Sequence, residues 1–296
     1  MRWVTALSVG VALSLAAFKI VVWRMSGSVS LLASAADSGL DLFASSATFV
    51  AVRYAATPPD AEHRFGHGKA EAFASLLQAG LVFASAALVG EEAIRHLVEP
   101  QPIVREAWAT GVMGVSIVLT AALVATQSRA LRAGESVAVA ADRTHYAADL
   151  ASNLIALAAI VLAWLGWTIA DPLGGLAVTG ILLAGAVSVF RDASGQLLDR
   201  EMPAADRRRI IALMTSDPRI NHVHQLRTRS SGAVVHMQMH ADLDPDISLD
   251  EAHKVVVAAE NRVLSAYPQA DILIHPDPRG RAEPHGGAFA EPPELE

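Results

Sequence analysis

The chain contains no cysteine. This absence excludes disulfide bonds, thiolate catalysis and cysteine-based metal clusters, and it leaves histidine and carboxylate as the strong metal ligands. The formal net charge is −7, so there is no broad basic surface for nucleic acid. The sequence also lacks a Walker-type phosphate-binding loop and an HExxH motif. These absences argue against nucleotide hydrolysis and against the zincin class of metalloprotease.

Long hydrophobic runs are abundant instead. The 296 residues are 52% hydrophobic, and the excess is concentrated in the first two thirds of the chain. Segments of about 20 apolar residues can cross a bilayer. Six such segments are predicted, at 4–24, 29–53, 70–96, 107–128, 138–165 and 171–195. The sequence therefore predicts an all-α, six-helix membrane domain over residues 1–197, with both termini on one side of the bilayer.

The basic residues indicate which side that is. Arg and Lys are concentrated in the connections at 54–69 and 128–143 and after residue 190. The connections on the opposite side carry mainly Arg24, Arg95 and Arg105. The positive-inside rule then places both termini in the cytoplasm.

The last third of the chain predicts a small soluble domain. Residues 198–205 change from apolar to charged and are interpreted as a hinge. The following pattern predicts a helix over 205–215, strands over 223–229 and 234–241, a helix over 248–267 and a strand over 271–275. Ser248 and Glu251 form a capping box at the start of the second helix. This αββαβ order predicts an α+β domain over 206–279, and the Pro-, Gly- and Glu-rich residues 280–296 predict a disordered tail.

The most informative residues are four ligands inside apolar segments. Asp37 and Asp41, and likewise His145 and Asp149, are spaced four apart, which puts each pair on one helix face. A charged side chain at mid-bilayer costs roughly 2.5–3.5 kcal/mol, so these carboxylates require a compensating partner. Lys19 lies near the end of its span, where we expect it to snorkel to the interface. The four residues therefore predict a tetrahedral, zinc-like metal site.

A second candidate site lies in the loop at 54–69. Asp60, His63 and His67 fall within eight residues, and Gly66 and Gly68 allow the loop to turn around one ion. The spacing alone leaves open whether the site captures metal, stabilises the loop or has no role.

A third candidate site lies in the soluble domain. Each predicted strand contributes one histidine and the second helix contributes another, so they can gather from separate elements. The predicted ligands are His224, His240, His253, His275 and Asp277. Four further histidines have no neighbouring ligands in the sequence and are not predicted to bind metal: His96, His222, His236 and His285. Of these four, His236 is the histidine whose omission from the predicted ligands we most expect to prove wrong.

One charge pair is also predicted. Lys69 directly precedes the predicted span 70–96, and Asp199 follows the span 171–195 and lies in the hinge. Both residues are predicted at the cytoplasmic edge of the membrane. A salt bridge between them would set the angle between helices, although exposed pairs contribute only about 0–1 kcal/mol. Two unrelated surface charges are the alternative.

Several motifs together resemble the cation diffusion facilitator family, and within it the bacterial zinc and ferrous-iron efflux pumps. They are SLLASAADSGLDLFAS, HRFGHGKAE, DRTHYAADLASN, LLDREMP, HQLRTRSSG and DILIHPDP. The resemblance implies a homodimer of six-helix subunits in the bacterial inner membrane, each with a metallochaperone-like cytoplasmic domain. It implies export of a divalent cation in exchange for protons by alternating access, and no enzymatic activity.

The resemblance also implies roles for the candidate residues. The transport site falls on the quartet, a further site on the loop trio, and a paired regulatory site on the soluble-domain set. Lys69 and Asp199 match a charge interlock at the membrane edge of the dimer. Pro276 departs from the pattern, because relatives offer a side-chain ligand at this position and proline cannot. The histidine in the quartet favours zinc, with cadmium or ferrous iron as alternatives.

Ligand chemistry favours an antiporter. A free imidazole titrates near pH 6.5, so protons and metal compete for His145 and metal binding releases protons. One alternative is a membrane-anchored metal sensor that binds without transport, but this leaves the intramembrane quartet unexplained. The other is an intramembrane metalloenzyme, for which four protein ligands leave no open position for water.

Overall fold

The computed structural model describes residues 2–26, 29–99, 107–134, 136–167 and 169–281. Within these ranges the side chains at 2, 26, 29–34, 36–37, 107–110, 156, 159–161, 163–164 and 171 are outside the description. The predicted tail lies outside the described residues from 282 onward. The chain divides into two compact units, Met1–Ser194 and Gly195–Glu296.

Six long helices form the first unit, one at each predicted span. They are α1 (Arg2–Ser26), α2 (Val29–Ala55), α3 (Ala70–Val98), α4 (Ala107–Ala133), α5 (Val137–Trp164) and α6 (Ala170–Leu197). Within the described residues, four stretches are long and apolar enough to cross a membrane: Trp3–Met25, Ala70–Val98, Gly111–Ala133 and Pro172–Leu197. Helices α2 and α5 carry the charged residues of the predicted metal site.

Small residues bring the helices of this unit close together. A Cβ atom at Gly174 would lie 2.6 Å from the Ile155 side chain, and one at Gly175 would lie 2.8 Å from Ala93 Cβ. Helix α6 therefore packs on α5 and α3 at distances that only glycine permits here. This is the packing role expected of small residues in membrane helices.

The second unit has the predicted αββαβ order. Its elements are α7 (Ala204–Met214), β1 (His222–Ser231), β2 (Val234–Leu243), α8 (Leu249–Ala266) and β3 (Ala270–Pro278). The sheet order is β1-β2-β3, with β1 antiparallel and β3 parallel to β2. Apolar residues of β2, such as Met237 and Met239, are buried with residues of α7 and α8, such as Ile210 and Val255. The alternate β2 residues lie on the opposite face of the sheet.

Local chemistry explains where these elements begin and turn. The backbone N–H of Glu251 donates to Ser248 Oγ at 3.2 Å, so Ser248 caps α8 as predicted. Strand β1 continues two residues beyond its predicted end, through Ser231, so the hairpin turn consists of Gly232 and Ala233. Gly232 has a φ of 60°, a conformation that glycine adopts without steric cost.

Candidate metal centre

The buried imidazole of His145 joins α5 to α2. Its Nε2 lies 2.9 Å from Asp41 Oδ1 and 3.5 Å from Asp149 Oδ2, and the three residues form a group able to hold a metal ion. A tetrahedral zinc ion with bonds of about 2.0–2.1 Å holds its ligand atoms about 3.3 Å apart. The structure therefore brings three of the predicted ligands, Asp41, His145 and Asp149, together in a group that could hold a divalent metal ion. The side chain of Asp37, one turn earlier on α2, lies outside the described residues.

A polar cluster surrounds this site one turn away, centred on Asp142. This carboxylate is fully buried and accepts hydrogen bonds from Ser45 Oγ at 3.3 Å, Gln78 Nε2 at 3.2 Å and Gln127 Nε2 at 2.7 Å. Ser45 Oγ also lies 2.8 Å from the hydroxyl of Tyr146. The cluster therefore ties α2, α3 and α4 to α5 next to the metal ligands.

Sequence reasoning missed Asp142. The signal was present, because Asp142 is one of two carboxylates in the apolar helix α5 and lies three residues before His145. Lys19 is buried, and its Nζ donates to Ser38 Oγ at 2.7 Å, which joins α1 to α2. The expected extension of Lys19 to the membrane interface stays a prediction.

The loop trio is also brought together. Asp60 Oδ2 lies 3.2 Å from His67 Nε2, and Asp60 Oδ1 lies 3.2 Å from His63 Nδ1. Asp60 Oδ1 accepts the backbone N–H of His63 at 2.6 Å and that of Glu62 at 2.9 Å. The His63 N–H is the main cause that lowers the pKa of Asp60 below its ordinary value. The lowered pKa favours the ionised carboxylate, which is the form that binds a cation.

The hydrogen bonds of His67 orient its ligating nitrogen. Thr57 Oγ1 donates its proton to the carbonyl of Tyr54 at 2.6 Å, and it lies 2.9 Å from His67 Nδ1. Thr57 therefore accepts from Nδ1–H, which in the neutral imidazole leaves the lone pair on Nε2, the nitrogen that faces Asp60. A partner on the second ring nitrogen is the usual way in which proteins fix a metal-binding histidine.

Strand register assembles the cytoplasmic cluster. His224 of β1 pairs with His240 of β2, which pairs with His275 of β3, so three imidazoles form one row across the sheet. The next row places Asp242 beside Asp277. Both rows lie on the sheet face away from the helices, because Met239, Ala241 and Leu243 alternate with them and enter the core.

Asp277 is the centre of this cluster. Its Oδ2 lies 2.7 Å from His240 Nδ1 and 3.3 Å from His224 Nε2, and its Oδ1 lies 3.2 Å from His275 Nε2. His224, His240 and Asp277 form a group able to hold a metal ion. The two oxygens of Asp277 face different histidines, an arrangement suited to bridging two ions.

For two predicted residues, His253 and Asp199, the described contacts do not establish the predicted partners. His253 lies exposed on α8, and its membership of the cytoplasmic site stays a prediction. Asp199 lies 3.5 Å from Arg229 within the second unit, and its predicted pairing with Lys69 of the first unit also stays a prediction. Of the histidines left out, His236 is buried and lies 2.9 Å from Asp271 Oδ2, a neighbour in strand register that the sequence did not reveal.

A helical membrane unit with an Asp/His ligand set between its helices, followed by an α+β unit with a second set, defines a membrane protein that handles metal ions. Residues 5–198 match the family model described as the cation efflux transmembrane domain, and residues 202–279 match the cytoplasmic domain of cation efflux proteins. The chain belongs to the cation efflux family, and divalent metal efflux is the activity this membership supports.

Similar proteins extend over nearly the whole chain. It is 41% identical over 271 residues to the cation-efflux pump FieF of Shewanella oneidensis, covering 92% of each chain. It is 38% identical over 267 residues to the FieF pump of Klebsiella pneumoniae, covering 90% of this chain and 89% of the relative. Among solved structures, the zinc form of the putative zinc transporter CzrB is 28% identical, with a TM-score of 0.27 over 29% of this chain and 98% of that structure.

Proposed function

We propose that this protein exports zinc from the cytoplasm in exchange for protons, with cadmium or ferrous iron as secondary substrates. The observation that carries the proposal is the position of His145 Nε2 between carboxylates of two helices. Imidazole nitrogen with carboxylate oxygen suits zinc. The same nitrogen binds either a proton or the metal, so binding of one drives release of the other.

The ligands lie on two different helices, an arrangement that is compatible with alternating access. Asp41 is on α2, whereas His145 and Asp149 are on α5, so a relative movement of these helices would open or disperse the site. We propose that the site binds zinc when it faces the cytoplasm, and exchanges it for protons when it faces the more acidic outside. A ligand can favour one conformation only by binding it more tightly.

The other clusters have supporting roles in this proposal. The loop trio Asp60, His63 and His67 captures zinc at the cytoplasmic edge of the membrane unit. The cytoplasmic set His224, His240, His253, His275 and Asp277 binds zinc and shifts the population toward the transporting state. The protein acts as a homodimer in the bacterial inner membrane with both termini in the cytoplasm, and Lys69 and Asp199 form its charge interlock. It catalyses no chemical reaction.

Zinc uptake into inside-acidic proteoliposomes tests the proposal. In Asp41→Ala we expect the flux to fall to that of protein-free vesicles, because α2 loses the carboxylate that lies 2.9 Å from His145 Nε2. Asp192→Ala is the matched control, because Asp192 is an exposed carboxylate on α6 outside all three clusters. Unchanged flux in Asp41→Ala would refute the site. Zinc binding without flux in the unmodified protein would favour the membrane-anchored sensor.

A further inference from the structure

Asp242 lies beside the cytoplasmic cluster but was not among its predicted ligands. It is near the end of β2, on the sheet face that carries His224 and His240. Strand register places it next to Asp277 on one side and next to His222 on the other. The carboxylate therefore belongs to the same surface as the three imidazoles of the neighbouring row.

Two buried atoms face each other at this point. His224 Nε2 lies 3.3 Å from Asp242 Oδ1 and 3.3 Å from Asp277 Oδ2. Within the described part of the chain, neither His224 Nε2 nor Asp242 Oδ1 has a hydrogen-bond partner of acceptable geometry, although both atoms are shielded from solvent. Buried polar atoms normally have partners, so this pair requires an explanation.

A metal ion explains both the distances and the missing hydrogen bonds. In a tetrahedral zinc site with bonds of about 2.0–2.1 Å, neighbouring ligand atoms are about 3.3 Å apart and point at the ion rather than at each other. Both separations from His224 Nε2 match this value. His240 Nδ1, which lies 2.7 Å from Asp277 Oδ2, supplies another nitrogen close by.

We infer that Asp242, which adjoins the group of His224, His240 and Asp277 at His224 Nε2, turns toward that group and becomes a fourth ligand when the first cytoplasmic metal ion binds. The inference rests on the proposed zinc binding of this cluster and adds a ligand to it. Two carboxylates balance the charge of a divalent cation, and two imidazoles complete a four-coordinate shell. The second ion retains His275 and the other oxygen of Asp277.

Zinc affinity of the full chain in detergent tests this inference. The background carries Asp41→Ala and His67→Ala, so that the transport and loop sites do not obscure the cytoplasmic site. Competition with a chromophoric chelator then measures zinc binding at the cytoplasmic cluster. We expect Asp242→Asn to weaken this binding roughly 10-fold or more, as changes around metal ligands do. Asp246→Asn is the matched control, because it removes the same charge from an exposed residue outside the cluster.

Asp242→Ala provides a second variant, and thermal melting of the metal-free chains shows which variants are folded. Zinc affinity equal to that of the control in either folded variant would overturn the inference. Asp277→Ala separates this failure from failure of the site itself. If Asp277→Ala loses tight binding while Asp242→Asn keeps it, only the assignment of Asp242 is wrong. If Asp277→Ala binds zinc as the background does, the proposed cytoplasmic site is wrong as well.

Discussion

We expect His145 to determine which ions the proposed transport site accepts, because it is the only nitrogen donor predicted there. The carboxylates of Asp41 and Asp149 alone would suit harder cations such as manganese. Imidazole adds affinity for zinc, and its nitrogen can bind either a proton or the metal. In the proposed mechanism, both metal selectivity and proton coupling therefore depend on this side chain.

Replacing His145 tests this dependence. In His145→Asp we expect the ratio of zinc to manganese uptake to fall roughly 10-fold, because an oxygen ligand replaces a nitrogen ligand. Uptake should also depend less on pH, because the nitrogen for which protons and metal compete is removed. Competition between the two ions in proteoliposomes measures the ratio. Selectivity equal to that of the unmodified protein would show that another group determines the substrate.

Among the secondary-structure elements, α5 depends on the polar cluster around Asp142. In Asp142→Ala, Ser45 and the two amides of Gln78 and Gln127 lose a buried acceptor. We expect a loss of stability of about 1–3 kcal/mol, seen as a lower unfolding temperature in detergent. Asp192→Ala, which removes an exposed carboxylate, should leave the unfolding temperature unchanged. Equal unfolding temperatures for the two variants would mean that the cluster does not hold the helices together.

The segment between α7 and β1 predicts a pH-dependent contribution to stability. Arg219 donates from its side chain to both oxygens of Asp217, at 3.0 and 2.9 Å, and lowers the pKa of Asp217 to about 2. The unfolded value is about 3.9. Because the folded pKa is the lower one, this contribution is present above about pH 4 and is lost as the pH falls toward 2.

Asp217→Asn should therefore cost on the order of 1 kcal/mol at pH 7, a modest value because Arg219 is half exposed to solvent. The difference from the unmodified protein should shrink as the pH falls below about 4. Hydrogen exchange of α8 and β1 amides in the intact chain measures it, with Asp246→Asn as the control. A difference that stays constant down to pH 3 would contradict the assigned ion pair.

Helices were easier to predict from the sequence than strands. The six spans and α8 were located because their apolar runs or capping residues are local signals. Strand β3 extends beyond its predicted end at His275, through Pro276 and Pro278. The prolines are tolerated because β3 is an edge strand that pairs only with β2, so a missing N–H need not break a ladder. Sequence patterns carry no information on which edge a strand occupies.

The candidate metal ligands were predictable when they lay close together in sequence or had unusual surroundings. Asp41, His145 and Asp149 stood out because charge is rare in apolar helices. Asp242, the ligand that we infer from the structure, was not predicted because an acid at the end of a surface strand is ordinary. Its relevance depends on strand register and on a bulge in β1 between His224 and Arg227, where Gln225 has a φ of 51°. Neither feature has a clear sequence signal.

For the protein as a whole, the proposed homodimer can be checked by mass. Light scattering with correction for bound detergent should give twice the chain mass of 31.1 kDa. Dilution should leave this mass unchanged if the membrane units form a stable interface. A mass of one chain at every concentration would contradict the dimer and the interlock of Lys69 with Asp199.

Coupling between zinc and protons is the central claim, and simultaneous recording of both fluxes tests it most directly. Proteoliposomes with an acidic lumen would carry one dye for zinc and one for pH. The account predicts that zinc entry raises the lumenal pH in a fixed ratio to the zinc taken up, and that both signals vanish in Asp41→Ala. Zinc entry without a rise in lumenal pH would contradict it.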